Sequence, residues 1–372
     1  MSEYRTVLER TRSRFPTPGL TLEDVLRRRD RRRRNQRLAA GTVGVAIAIL
    51  AILVGTSVIR ADEPNPATPK LPFKHNGVIA FLGGDTATLF DPRTGGRSML
   101  NLRTGRGAFP DSSVIEWSPD GTKFAFMAER STVRVFDLET GANSAIVPCV
   151  STQPDYPGSG CPMYLAWSPD GSRIALGGPG GLDLVDPDGS NRLALIDLDG
   201  DGGYVGPVDW SPEGTVIAFT AGFRGSPDRQ AIYVIDADGS NLRVLFDQPG
   251  SSGPWDVRWS PDGSRIAYMV SVRSPNPDDP EHPGIIPQLW IVDADGSHPT
   301  KLFEGGACCL AGSSIGLSWS PDGTMIAFDA KPPGSAYEVG HAHLYAVDPD
   351  SGDFRVLGPN APIAHPAWQP IP

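Results

Sequence analysis

The sequence predicts an all-β protein whose strands close into a six-bladed β-propeller, and three observations carry that reading. The stretch Trp-Ser-Pro-Asp-Gly begins at Trp117, Trp167, Trp259 and Trp319, with Glu213 replacing Asp in the copy at Trp210 and a degenerate copy at Trp368. An apolar strand ending in Asp, such as Ile232-Tyr233-Val234-Ile235-Asp236, recurs six times, and each is expected to be followed by one more strand. The tryptophans stand 50, 43, 49, 60 and 49 residues apart, in the range of propeller blades rather than helical solenoids.

Taken in order, residues 1–37 form an arginine-rich helical segment expected in the cytoplasm. Tyr4, Val7 and Leu8 share one side of a short amphipathic pattern that ends at Pro16 and Pro18. A second helix starts at Thr21, which can cap it, with Leu22, Val25 and Leu26 as its apolar side. This segment holds twelve arginines against five acidic residues, while the remainder holds 21 basic and 38 acidic residues, so the net charge of −10 averages two unlike regions.

Residues 38–59 carry no charge across 22 positions, a length of about 33 Å as a helix, which suffices to span a bilayer. Arginines before the span set its orientation with the N-terminus in the cytoplasm and the following chain outside. This position assigns the arginines to membrane topology, with no nucleic-acid partner expected. A cleaved signal peptide is the competing reading, but the apolar run exceeds the usual length and no Ala-x-Ala site follows. Residues 60–75 form a linker in which Pro64, Pro66, Pro69 and Pro72 exclude a helix and impose a semi-extended spacer of up to about 40 Å.

Residues 76–372 are the propeller. Proline at the second position of a tight turn sets φ, Ser and Asp side chains bond nearby amides, and Gly accepts the positive φ that completes the reversal. The strand behind each turn is a short apolar run, Phe124-Ala125-Phe126 or Ile326-Ala327-Phe328, suited to cover on both faces. The first blade, beginning at Gly77-Val78-Ile79, has no Trp strand before it, and the strand around Trp368 has no blade after it. The C-terminal strand is therefore expected to complete the first blade and close the ring.

Trp-Ser-Pro-Asp-Gly-x-x-Ile-Ala-Phe with Tyr-Val-Ile-Asp-Ala-Asp-Gly-Ser resembles the WD40-like propeller repeat of TolB-type proteins. The resemblance covers roughly residues 76–372 and implies the fold. TolB carries an additional α/β domain before its propeller that has no counterpart here, so its trans-envelope role is not implied.

Function is sought in the loops. Tight turns fall on one face of the disc, and the insertions 149–161, 222–230, 270–287, 304–314 and 331–342 fall on the other, where binding residues usually sit. The expected partner face carries Tyr156, Arg224, Arg229, Arg273, His282, Tyr337 and His341. Trp117, Trp167, Trp210, Trp259, Trp319 and Trp368 are read as structural, filling space between blades. Outside the membrane cysteines favour disulfides, and Cys149 and Cys161 bracket one loop and form the expected pair, leaving Cys308 and Cys309 as a vicinal disulfide or two thiols.

No metal or other cofactor is expected. His341 and His343 share a strand face without a third ligand nearby, and the series Asp197, Asp199, Asp201 opens like a calcium loop but lacks its later carboxylate. No Gly-x-Ser-x-Gly elbow is present, so no hydrolase is expected. The sequence is expected to encode an extracytoplasmic binding scaffold, anchored by one span, for a protein, peptide or envelope glycan. Two alternatives stay open. One is a transmembrane regulator similar to anti-sigma factors, with residues 1–36 engaging a cytosolic protein, although the His-x-x-x-Cys-x-x-Cys of the zinc type is missing. The other is a propeller lyase or lactonase with carboxylates or histidines in its channel.

Overall fold

A computed structural model describes residues 75–371 apart from the segments 84–85, 103–113, 129–131, 148–160, 199–202, 223–230, 248–252, 275–283, 307–315, 334–342 and 359–364. The arginine-rich segment 1–37, the uncharged run 38–59 expected to span a membrane, and most of the linker lie outside the described residues. No helix among the described residues is long and apolar enough to cross a membrane.

Twenty-four strands form six four-stranded antiparallel sheets. In chain order they are β1 (His75–Gly83), β2 (Thr86–Phe90) and β3 (Arg97–Asn101) of blade 1, then β4 (Ile115–Trp117), β5 (Lys123–Ala128), β6 (Thr132–Asp137) and β7 (Asn143–Val147) of blade 2. Blade 3 holds β8 (Tyr164–Trp167), β9 (Ile174–Gly178), β10 (Gly181–Val185) and β11 (Leu193–Asp197). Blade 4 holds β12 (Tyr204–Trp210), β13 (Val216–Gly222), β14 (Ala231–Asp236) and β15 (Arg243–Phe246). Blade 5 is β16 (Pro254–Trp259), β17 (Arg265–Ser274), β18 (Gly284–Asp293) and β19 (Thr300–Glu304), and blade 6 is β20 (Leu317–Trp319), β21 (Ile326–Ala330), β22 (His343–Val347) and β23 (Phe354–Gly358). The last strand, β24 (Ala367–Ile371), pairs with β1, placing Trp368 opposite Ile79, so the chain end supplies the innermost strand of blade 1.

The second strand of each blade lies between two neighbouring blades, and its sequence answers that position. Phe124, Ala125 and Phe126 on β5, and Ile326, Ala327 and Phe328 on β21, are fully buried, because both faces of the strand meet other blades. Fourth strands sit at the rim, where β3 is mostly exposed. The repeat tryptophans lie in the seams: Trp210 packs with Leu182 and Leu184 of blade 3, and Trp319 with Met269 and Leu289 of blade 5.

Each tight turn is held by its own side chains. The Ser118 hydroxyl donates to Asp120 Oδ1 at 2.6 Å, Lys123 N–H donates to Ser118 Oγ at 2.9 Å, and Thr122 N–H donates to Asp120 Oδ1 at 3.1 Å. Gly121 takes φ +68°, the left-handed region open to glycine.

One expectation needs correction. Residues 270–287 are not a loop: β17 and β18 pair without a break from Arg265↔Asp293 to Ser274↔Gly284. Val270, Val272, Ile285 and Ile286 are β-branched residues that keep the ladder going and leave only 275–283 outside the described strands.

Candidate functional site

The first strand of every blade runs beside the ring axis. Side chains alternate along a strand, so when each repeat tryptophan turns into a seam, the residue before it turns toward the axis. Glu116, Ala166, Asp209, Arg258 and Ser318, each immediately before a tryptophan, line a funnel of about 1110 Å³ on the tight-turn face. The six tryptophans and the turn prolines, from Pro119 to Pro370, form its walls. Carboxylates outnumber cations among its lining residues: Glu116, Asp209, Glu213, Asp262, Asp322, Asp348 and Asp350 stand against Arg258 and Arg265.

Arg258 of blade 5 crosses the axis. Its Nη2 lies 2.5 Å from Glu116 Oε1 in blade 2, the blade opposite in a six-membered ring, while Nε donates to Leu317 O at 3.2 Å and Nη1 lies 3.4 Å from Val208 O. Asp256 stands 3.9 Å from the same Nε. Asp209 accepts the Trp259 N–H at 2.6 Å, tying blade 4 to blade 5. The floor thus holds Glu116, Asp209 and Asp256 around one guanidinium. Desolvation pushes Glu116 up to about 7 despite Arg258, with the charges of Asp209 and Asp256 adding to the rise. Desolvation likewise raises Asp209 to about 6. For Arg258 desolvation works downward, but Glu116, Asp256 and Asp209 outweigh it and hold the guanidinium firmly charged.

Below the floor the channel narrows. Val114, Tyr164, Pro207, Asp256 and His365, each three residues before a tryptophan, close around a space without room for a water molecule. Asp256 is fully buried and satisfied, accepting Val257 N–H at 2.8 Å and Leu317 N–H at 3.0 Å. His365 Nδ1, 4.0 Å from Asp256 Oδ2, has no hydrogen-bond partner, and burial lowers its pKa. Burial raises Asp329 well above the carboxylate range against a 3.0 Å bond from Gly316 N–H. Among the described residues no group of three or more His, Cys, Asp or Glu side chains could hold a metal ion.

The comparisons agree with this architecture. A TolB crystal structure from Acinetobacter baumannii superposes with a TM-score of 0.56 at 20% identity, covering 79% of this chain and 67% of that one. The fold is TolB-like. A structure assigned as TolB from Agrobacterium tumefaciens gives a TM-score of 0.50 at 17% identity, covering 80% of this chain and 99% of that one. An uncharacterised protein of Agrobacterium fabrum (strain C58) is 27% identical over 218 residues, 57% of this chain and 67% of its own length. No protein-family model matches the chain.

The residues expected on the long-loop face are not brought together among the described residues. Arg273 is exposed near the end of β17. Tyr156, Arg224, Arg229, His282, Tyr337 and His341 lie outside the described residues, as do Cys149, Cys308, Cys309 and the run 199–202. Cys161 is buried and disulfide-bonded. The residues that build the funnel, Glu116, Asp209, Asp256 and Arg258, escaped the sequence reading, which treated the repeats as structure alone. Their signal was present: among repeats that otherwise match, the position before Trp varies through Glu, Ala, Asp, Arg, Ser and Ala.

Proposed function

We propose that the protein is a membrane-anchored, extracytoplasmic binding scaffold and that its TolB-like propeller receives a partner through the axial funnel on the tight-turn face. The observation that carries this reading is the funnel itself: a concavity of about 1110 Å³, walled by tryptophan and proline, with charged groups converging on its floor. Rigid concave sites with a few convergent polar groups are where propellers and other scaffolds hold ligands. The uncharged run 38–59 and the arginines before it support the anchor and its orientation. The partner is a protein, peptide or envelope ligand.

The test uses full-length protein in its own membrane. A photo-crosslinking amino acid at Ser318, inside the funnel, is expected to capture a discrete adduct, and one at Arg273, on the extended hairpin, is not. Adducts at Arg273 alone would return the site to the long-loop face. Protease added to intact spheroplasts should cut the propeller; full protection would overturn the extracytoplasmic placement.

A further inference from the structure

The funnel's charge is unbalanced in a way that specifies its ligand. Three carboxylates, Glu116, Asp209 and Asp256, surround the single guanidinium of Arg258. Asp256 is fully buried with a backbone N–H on each oxygen, and Asp209 takes backbone N–H bonds from Trp259 and Trp210, whereas the charged partner of Glu116 is Arg258. Glu116 and Asp209 line the open funnel, and the rim above them adds further acidic residues. A ligand carboxylate reaching Arg258 would leave Glu116 unpaired beside Asp209; a cation would complete the set. The walls add a second demand. The repeat tryptophans and turn prolines present apolar surface to the funnel, while the indole N–H groups of Trp167 and Trp210 are buried within the blade seams. Those of Trp117 and Trp319 donate to the carbonyls of Ala367 and Arg258.

From this geometry we infer that the funnel binds a basic segment of a partner polypeptide, with a lysine or arginine side chain held against Glu116 and Asp209 above Arg258. The inference rests on the funnel being the binding site. A polypeptide meets both demands: a cation for the floor and an alkyl stem for the tryptophan and proline walls. The cavity, larger than a typical small-ligand site of about 300–1,000 Å³, has room for several residues. The cation acts by taking up the charge that the protein leaves uncompensated, so binding requires Glu116 and Asp209 ionised and weakens as pH falls through the range where burial makes them protonate.

The experiment titrates full-length protein in nanodiscs with acetyl-Gly-Lys-Gly-amide, its Gln and Glu counterparts, and spermidine, read by fluorescence of the funnel tryptophans. The Lys peptide should bind at least tenfold more tightly than the Gln and Glu peptides, and should lose at least fivefold between pH 8 and pH 5.5. Glu116→Gln should weaken it at least fivefold at pH 8, and Ser318→Lys, which places a cation in the funnel, should abolish it. Glu139→Gln, at an exposed turn outside the funnel, should leave it unchanged. Near-ultraviolet circular dichroism of each variant separates lost binding from lost fold. Equal binding of the three peptides, or unchanged binding in both funnel variants, would overturn the inference, and spermidine binding as tightly as the Lys peptide would overturn the polypeptide assignment. A Ser318 crosslink without any preference for the basic peptide would sink the cation alone and leave the funnel reading standing, whereas no crosslink at Ser318 would sink both.

Discussion

At Glu116 and Gly316, single residues occupy positions where substitution has measurable costs. Glu116 has a folded-state pKa of about 7 against an ordinary value of 4.5. Between those values the folded protein keeps a proton that the unfolded chain has released, so rising pH removes stability through this window. Glu116→Gln cannot ionise, and its melting temperature relative to the parent should therefore rise from pH 5 to pH 8; an offset that does not change with pH would contradict the assignment. At Gly316 an added Cβ would fall 2.2 Å from His365 Nδ1 and 2.7 Å from His365 Cα. Backbone is among the obstacles, so Gly316→Ala should cost about 1–3 kcal/mol in urea unfolding.

Strand β24 does at the scale of an element what no local sequence rule demands of it. It pairs with β1, Trp368 Nε1–H donates to Gly77 O at 3.2 Å, Gln369 Nε2–H donates to Gly121 O at 2.9 Å, and Trp117 Nε1–H donates to Ala367 O at 3.0 Å. The strand thereby joins blades 1 and 2 as well as completing blade 1. Trp368→Ala removes a large side chain from the closing seam and should cost about 3–5 kcal/mol of unfolding free energy, more than the loss of any single turn aspartate. The β17–β18 hairpin makes the opposite point. Val270 to Pro287 interrupts the repeat spacing and so reads as an insertion, yet its β-branched residues keep the ladder going for several more pairs.

The six blades are alike as structure and unlike as chemistry. Two sets of carboxylates respond oppositely to pH across the whole molecule. Burial opposes ionisation of Asp170, Asp262 and Asp322, but their serine, threonine and backbone hydrogen bonds prevail and lower their pKa values, so their contribution is lost as acid protonates them. Glu116 and Asp209 lie above the ordinary range, and their contribution is lost as pH rises toward about 7 and about 6 respectively. Stability should therefore peak near about pH 5, between the two sets, when melting temperature is followed from pH 3 to pH 9. A maximum above pH 8 would mean that the channel carboxylates do not carry the shifts assigned to them.

The repeat made the propeller legible before any coordinates. Trp-Ser-Pro-Asp-Gly encodes a local turn whose hydrogen bonds lie within six residues, the apolar triplet encodes a strand covered on both faces, and six such units leave the C-terminal strand to close the ring. Those are short-range or periodic constraints, which a one-dimensional string carries in full. The site was not legible in the same way. Glu116, Asp209 and Arg258 each sit one residue before a repeat tryptophan, 93 and 49 positions apart, and nothing local says that the three face one another. Only ring closure turns those positions toward a common axis, sets blade 5 opposite blade 2, and removes enough water for a carboxylate to hold its proton near neutral pH.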